Sequence, residues 1–276
     1  MRLIVRLLFI AASIQASTAA WADTCASKPA AAHLVEDGKM QMSVNPTLPP
    51  QEYVNDKGEL LGLNIDLTTE IAKRICLEPV FIRMDSQGMI PGLRGNRFDM
   101  VNNGLFWTAE RAKIFFMVPY AQQGFSILTA TDSPLQIKSF DDLAGLRVGT
   151  EVSSYPDRMA HQDAAALVAK GGKPIEIHGF ANGTESLAAL RAKQVDAIFS
   201  IDETGASIAK RGGAKIQMTG MWHSEITFTF RDRDLAQATA DALTAIRADG
   251  LYDKIFDRYG MARIDTTKFA IRGPAD

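Results

Sequence analysis

Little in this sequence stands out by abundance, and each scarcity excludes something. Two cysteines in 276 residues are too few for a disulfide scaffold. Charge of one sign is hardly in excess. Thirty Lys and Arg face 32 Asp and Glu, a net charge of −2, which gives no electrostatic case for a nucleic-acid partner. Beyond the N-terminus no apolar run reaches the roughly 18–20 residues that a membrane-spanning helix needs. The four histidines, His33, His161, His178 and His223, fit no metal spacing. No Ser/His/Asp or Cys/His triad is legible, so neither a metal nor a cofactor is expected. A hydrophobic share of 46% is too high for a disordered chain. What remains is a globular protein of one large domain or two lobes.

Residues 1–22 read as an address. Arg2 and Arg6 supply a positive start, Leu7 to Ile14 a short apolar core, and Ala20-Trp21-Ala22 the small residues of a cleavage site, the pattern of a secretory signal peptide. Cleavage there leaves 254 residues and removes two arginines, which moves the net charge from −2 to −4. The exported protein keeps Cys25 and Cys76 as its only thiols, in a compartment that permits disulfides. Pairing would staple the mature N-terminus to the end of the first helix; the alternative is Cys76 as a small unpaired core residue.

Along the chain, extended and helical patterns alternate. Met40–Val44, Val80–Ile82, Phe98–Val101 and Val195–Phe199 read as strands. Asn64 is placed to cap a helix with Leu67, Ile71 and Ile75 at four-residue spacing. Asp157 to Lys170 reads as a helix closed by Gly171-Gly172. Thr184 and Asp234 are placed to start two more, the second ending at Gly250. This rhythm predicts an α/β protein. Leu93-Arg94-x-x-x-x-Asp99-Met100-Val101 is echoed by Leu190-Arg191-x-x-x-x-Asp196-Ala197-Ile198, 97 residues on. Two lobes built alike produce such an echo, and a cleft between them, at the carboxyl ends of the strands, is the expected ligand site.

Four stretches carry a resemblance. They are Asp56-Lys57-Gly58-Glu59-Leu60-Leu61-Gly62-Leu63-Asn64-Ile65-Asp66-Leu67; Ile90-Pro91-Gly92-Leu93-Arg94-Gly95-Asn96-Arg97-Phe98-Asp99 with Gly104 and Thr108-Ala109-Glu110-Arg111; Ser139-Phe140-Asp141-Asp142-Leu143-Ala144-Gly145-Leu146-Arg147-Val148-Gly149; and Ala248-Asp249-Gly250-Leu251-Tyr252-Asp253-Lys254-Ile255-Phe256 with Tyr259-Gly260. In this order they resemble the periplasmic solute-binding proteins of ABC transporters, in particular the polar amino-acid-binding branch, family 3. The resemblance implies a type II two-lobed fold, with a cleft between lobes joined by crossovers near Tyr120–Ser126 and Thr219–Thr229. The first lobe would comprise residues 23–122 and 223–276, the second residues 123–222. It further implies a periplasmic monomer that closes on a small carboxylate-bearing ligand and then meets a membrane permease. Closure follows because a ligand touching both lobes binds the closed state more tightly.

The resemblance also assigns roles. Arg111 would hold the ligand carboxylate, for which a guanidinium fork is suited. Gly104 would let backbone approach the ligand, and Glu110 would support the local structure. Phe106 stands where the family usually has Thr or Ser; it reads equally as a ring stacked on ligand or as core. Ser153 and Ser154 would offer hydroxyl and N–H donors, and Glu151 brings an acid toward the cleft, or else is solvated. Asp202 lies one residue beyond the family's ammonium-binding aspartate, a position held here by Ile201. Asn45 and Gln87 would add polar contacts, beside wall positions Leu48 and Ser86 that are often aromatic in the family. Two other functions stay open. One is a periplasmic enzyme on the same scaffold, resembling cyclohexadienyl dehydratases, with Glu151 as general acid; the other is a sensory module that signals through a separate chain.

Overall fold

The computed structural model describes residue 29 and residues 34–274. The expected signal segment and Cys25 lie outside the described residues. In chain order the elements are β1 (Lys39–Val44), β2 (Thr47–Leu48), β3 (Glu52–Val54), β4 (Leu60–Leu61), α1 (Leu63–Arg74), β5 (Glu78–Arg83), α2 (Met89–Arg94), β6 (Met100–Phe106) and α3 (Ala109–Ala112). There follow β7 (Phe116–Thr129), β8 (Arg147–Glu151), α4 (Tyr155–Ala169), β9 (Glu176–Phe180), α5 (Gly183–Arg191), β10 (Ala197–Ile201), α6 (Asp202–Lys210), β11 (Lys215–Phe230), α7 (Arg233–Ala248) and α8 (Leu251–Tyr259).

Eight strands form one sheet in the order β5-β1-β6-β11-β7-β10-β8-β9. The outer trios, β5-β1-β6 and β10-β8-β9, are parallel. The long central pair, β7 and β11, runs antiparallel and joins them. The C-terminal half of β11 pairs with β6, and the C-terminal end of β7 pairs with β10. Each central strand therefore passes from one trio to the other, and the two expected crossovers fall within them. The β7–β11 register shifts repeatedly between Ile216 and Ser224, so the sheet bends there.

The sequence echo has a structural meaning. Asp99 accepts the backbone N–H groups of Gln41 and Val35, both at 2.8 Å, while its own N–H reaches the Gln41 carbonyl. Asp196 does the same for Arg147, accepting its N–H at 2.9 Å and donating to its carbonyl. In both trios, then, a carboxylate just before one strand ties down the start of the parallel strand beside it.

The helix starts differ from expectation at four places, the simplest being α4, which begins at Tyr155 after its Ser154 cap and not at Asp157. The first turn of α1 begins after Gly62, at φ 137°, where a Cβ would sit 2.2 Å from the Gln51 carbonyl oxygen; only glycine fits. Asn64 is inside that helix, fully buried, and its amide donates to Glu52 and to the Asn102 carbonyl. Helix α5 is capped by Asn182, not Thr184, and α7 by Asp232, not Asp234. In each pair both residues are capping types two positions apart, and the backbone geometry selects the earlier one. Apolar faces of α1 (Leu63, Leu67, Ile71), α7 (Leu235, Leu243, Ile246) and α8 (Tyr252, Ile255, Phe256) bury together in one core, with α1 on β5 and β6, α7 on β7 and β11, and α8 against α1 and α7.

Candidate ligand-binding cleft

The carboxyl ends of the parallel strands of both trios open onto one cavity of about 300 Å³. One wall is the end of β6 with Arg111 beyond it; the other is the end of β8, the Ser153–Ser154 turn and the start of α4.

Arg111 is placed by its own turn. The Thr108 hydroxyl accepts the Arg111 N–H at 3.2 Å and starts α3, which turns the side chain back so that Nη1 donates to the Phe106 carbonyl at 2.8 Å. Burial, with Arg158 nearby, pushes the guanidinium down to about 10. Among the described residues no carboxylate lies within ion-pair distance of it. A half-buried cation in that condition favours an anion beside it. Glu110 points outward to Arg158, at 4.0 Å.

Phe106 is 4% exposed. Its ring lies on Tyr155 from the opposite wall, centroids 4.6 Å apart and planes within 15°, and leans on Phe125 of β7 at 5.0 Å. Phe106 is thus both packed and part of the cavity lining. Tyr155 escaped the sequence reading; its signal was an aromatic directly after the Ser153-Ser154 turn. Gly104 lines the cavity at φ 66°, but the space beside it is taken by Gln51, whose Nε2 would lie 2.1 Å from a Cβ there.

Glu151 bridges the cleft. Asn45 Nδ2 donates to its Oε1 at 3.2 Å and to the Ser86 hydroxyl at 3.2 Å, and Asn103 adds a second donor to Ser86 at 3.2 Å. Burial raises the Glu151 carboxyl to about 7; Ser86 and Asn45 pull it down, and the Asp85 charge pushes it further up. A second cross-cleft bond joins Asn182 to Asp85 at 3.2 Å. The folded, closed form holds a proton that an exposed glutamate releases near its ordinary value of 4.5. Stability from this group is complete below that value and is lost as pH rises through about 7. Between pH 5 and 7.5 the protein should lose about 2 kcal/mol more stability than its Glu151→Gln variant does; equal slopes in the two would exclude Glu151 as a source. Glu203, also raised to about 7 by burial, adds a slope of the same sign in both proteins.

The remaining expected site residues are dispersed. Ser153 and Ser154 line the cavity, but Ser153 N–H donates to Asp157 at 3.1 Å, and the Ser154 hydroxyl caps α4 while donating to the Glu151 carbonyl at 2.6 Å. Asp202 lies outside the lining. Its carboxylate accepts the Ser126 hydroxyl at 2.6 Å and the Gly220 N–H at 3.1 Å, tying together the two crossover strands. Gln87 is exposed on the Ser86–Gly88 turn, and Asn45 acts from behind the wall, through Glu151.

Residues 40–262 match the family model described as bacterial extracellular solute-binding proteins, family 3. The histidine-binding periplasmic protein of Escherichia coli (strain K12) is 27% identical over 233 residues, covering 80% of this chain and 86% of that one. The structure of an ancestral arginine-binding protein bound to arginine superposes with a TM-score of 0.74 at 28% identity, covering 80% of this chain and 98% of that one. An ancestral amino acid-binding protein described as a precursor of cyclohexadienyl dehydratase gives 0.70 at 26%, covering 80% and 95%. These neighbours share the two-lobed α/β architecture, with the cleft between lobes joined by the paired strands β7 and β11. The chain belongs to the family 3 bacterial extracellular solute-binding proteins.

Proposed function

We propose that the protein captures an amino acid or a related small carboxylate-bearing solute in the periplasm, as the binding component of an ABC importer. One observation carries the reading: Arg111 is a half-buried guanidinium without a carboxylate partner among the described residues, at a cavity enclosed by both trios of strands. We take residues 23–122 and 223–276 as one lobe and residues 123–222 as the other. The contacts Asn45–Glu151, Asn182–Asp85 and Phe106–Tyr155 then all cross between lobes, so the described form is closed. The names of the relatives support the solute class, and the signal-like N-terminus supports export. Among the described residues no helix is long and apolar enough to cross a membrane.

The test is calorimetry against amino acids, opines and small organic acids, with mass spectrometry of whatever co-purifies. Binding of a carboxylate without turnover is the expected result. Failure of every carboxylate to bind overturns the reading.

A second reading, an enzyme on this scaffold, is favoured by one feature. Glu151 keeps its carboxyl raised to about 7, in the range a general acid needs. Product formed from prephenate or arogenate, and lost in Glu151→Gln, would establish it.

A further inference from the structure

Resting on the carboxylate reading of Arg111, we propose that the ligand is a flat aromatic or heteroaromatic carboxylate, held by its ring between Phe106 and Tyr155 with its carboxylate on Arg111. The two rings come from opposite walls of the cleft, one from the end of β6 and one from the first residue of α4. Their planes are already within 15° of parallel. Separating the lobes by one ring thickness, about 3.5 Å, opens a slot with two facing aromatic surfaces and needs no rotation of either ring. Stacked arrangements of this kind are favourable beyond the area they bury.

The slot's position relative to charge argues for the same class. Arg111 donates to the carbonyl of Phe106 itself at 2.8 Å, so the cation sits at the rim of the stack, where the carboxylate of an inserted ring arrives. Behind the stack, Phe125 faces both rings, 5.0 Å from Phe106 and 6.1 Å from Tyr155. The anchors for an α-ammonium group are weak. Glu151 is the one carboxylate lining the cavity among the described residues, and it is engaged by Asn45. Asp202 is spent on Ser126 and Gly220. Leu48, Met89 and Leu187 make the further lining apolar. A ligand that presents a ring and a carboxylate, but no ammonium group, matches this inventory.

The experiment compares benzoate and quinaldate with cyclohexanecarboxylate, arginine and histidine, by calorimetry and by the fluorescence of Trp222, whose ring lies 6.1 Å from Phe125. Cyclohexanecarboxylate has the same charge and a similar apolar body without a flat face. The planar acids should bind at least 10-fold more tightly than cyclohexanecarboxylate. Tyr155→Ala should erase that preference, Tyr155→Phe should keep it, and Phe106→Leu, which retains core volume, should reduce it. If arginine or histidine binds and the planar acids do not, the aromatic proposal falls while the carboxylate reading stands. If planar acids and cyclohexanecarboxylate bind equally, or Tyr155→Ala leaves the preference intact, the proposal falls as well. If no carboxylate binds, both fall.

Discussion

Replacing Arg111 with alanine should weaken binding of the ligand carboxylate by about 100- to 1,000-fold, roughly 3–4 kcal/mol, while leaving the fold nearly as stable. The two halves of that expectation have separate causes. The guanidinium is largely withdrawn from solvent, and within the protein it makes a single bond, to the Phe106 carbonyl. An incoming carboxylate therefore meets a cation that is already desolvated and fixed, and it forms charge-assisted bonds where no protein carboxylate competes. Loss of the side chain strands the ligand's charge in an apolar cavity. Loss of one bond to a carbonyl costs the protein itself only about 1 kcal/mol. Arg111→Lys keeps the charge but not the planar fork, and should recover only part of the affinity. Calorimetry beside thermal unfolding separates the two effects. Undiminished affinity in Arg111→Ala would remove Arg111 from the site.

Glu52→Ala should lower folding stability by about 4 kcal/mol, which in a chain of this size lowers the melting temperature by roughly 10 °C. Glu52 is fully buried, and each of its oxygens takes one donor at 2.7 Å: Asn64 Nδ2 and the Asn45 N–H. Burial pushes its carboxyl well above the ordinary range, and the two donors reverse that only in part. The network continues inward. The Tyr120 hydroxyl donates to Asn64 Oδ1 at 2.6 Å, Gln51 Nε2 donates to Tyr120 at 3.2 Å, and Gln123 donates to Gln51 at 2.9 Å. Alanine leaves two buried donors without acceptors and opens a cavity, and each defect costs a few kcal/mol at most. Glu52→Gln restores one acceptor but turns an amide N–H₂ toward an existing donor, so it should fall between alanine and wild type. A loss below about 1 kcal/mol in Glu52→Ala would show that the network relaxes around the gap. Because Asn45 sits at the cleft end of the network and holds Glu151, the same variant should also weaken ligand binding.

The fold was legible wherever the cause was local. Four-residue spacing of Leu67 and Ile71 marked α1, and the short apolar runs marked β1, β5 and β10 within a few residues. The 97-residue echo was legible as a pattern, and its reason, a carboxylate tying a neighbouring parallel strand, needs only a short loop and a fixed register. The cap positions failed by two residues because Asn64 and Thr184 are chemically competent caps, and the choice depended on where the backbone entered the helix. Of the cleft, Arg111 was legible from its Thr-x-Glu-Arg turn. Tyr155 was not, because its partner ring is 49 positions earlier in the chain.

The sequence by itself determined the alternation of elements and the family. The tertiary structure alone decided how each polar group was employed. Asp202 was drawn to the crossover strands, Ser154 to a helix cap, and Glu151 across the cleft to Asn45, 106 residues away. The physical reason is that a hydrogen bond is satisfied by distance and direction. For residues so far apart in the chain, both are set by sheet register and lobe closure, which no local pattern encodes.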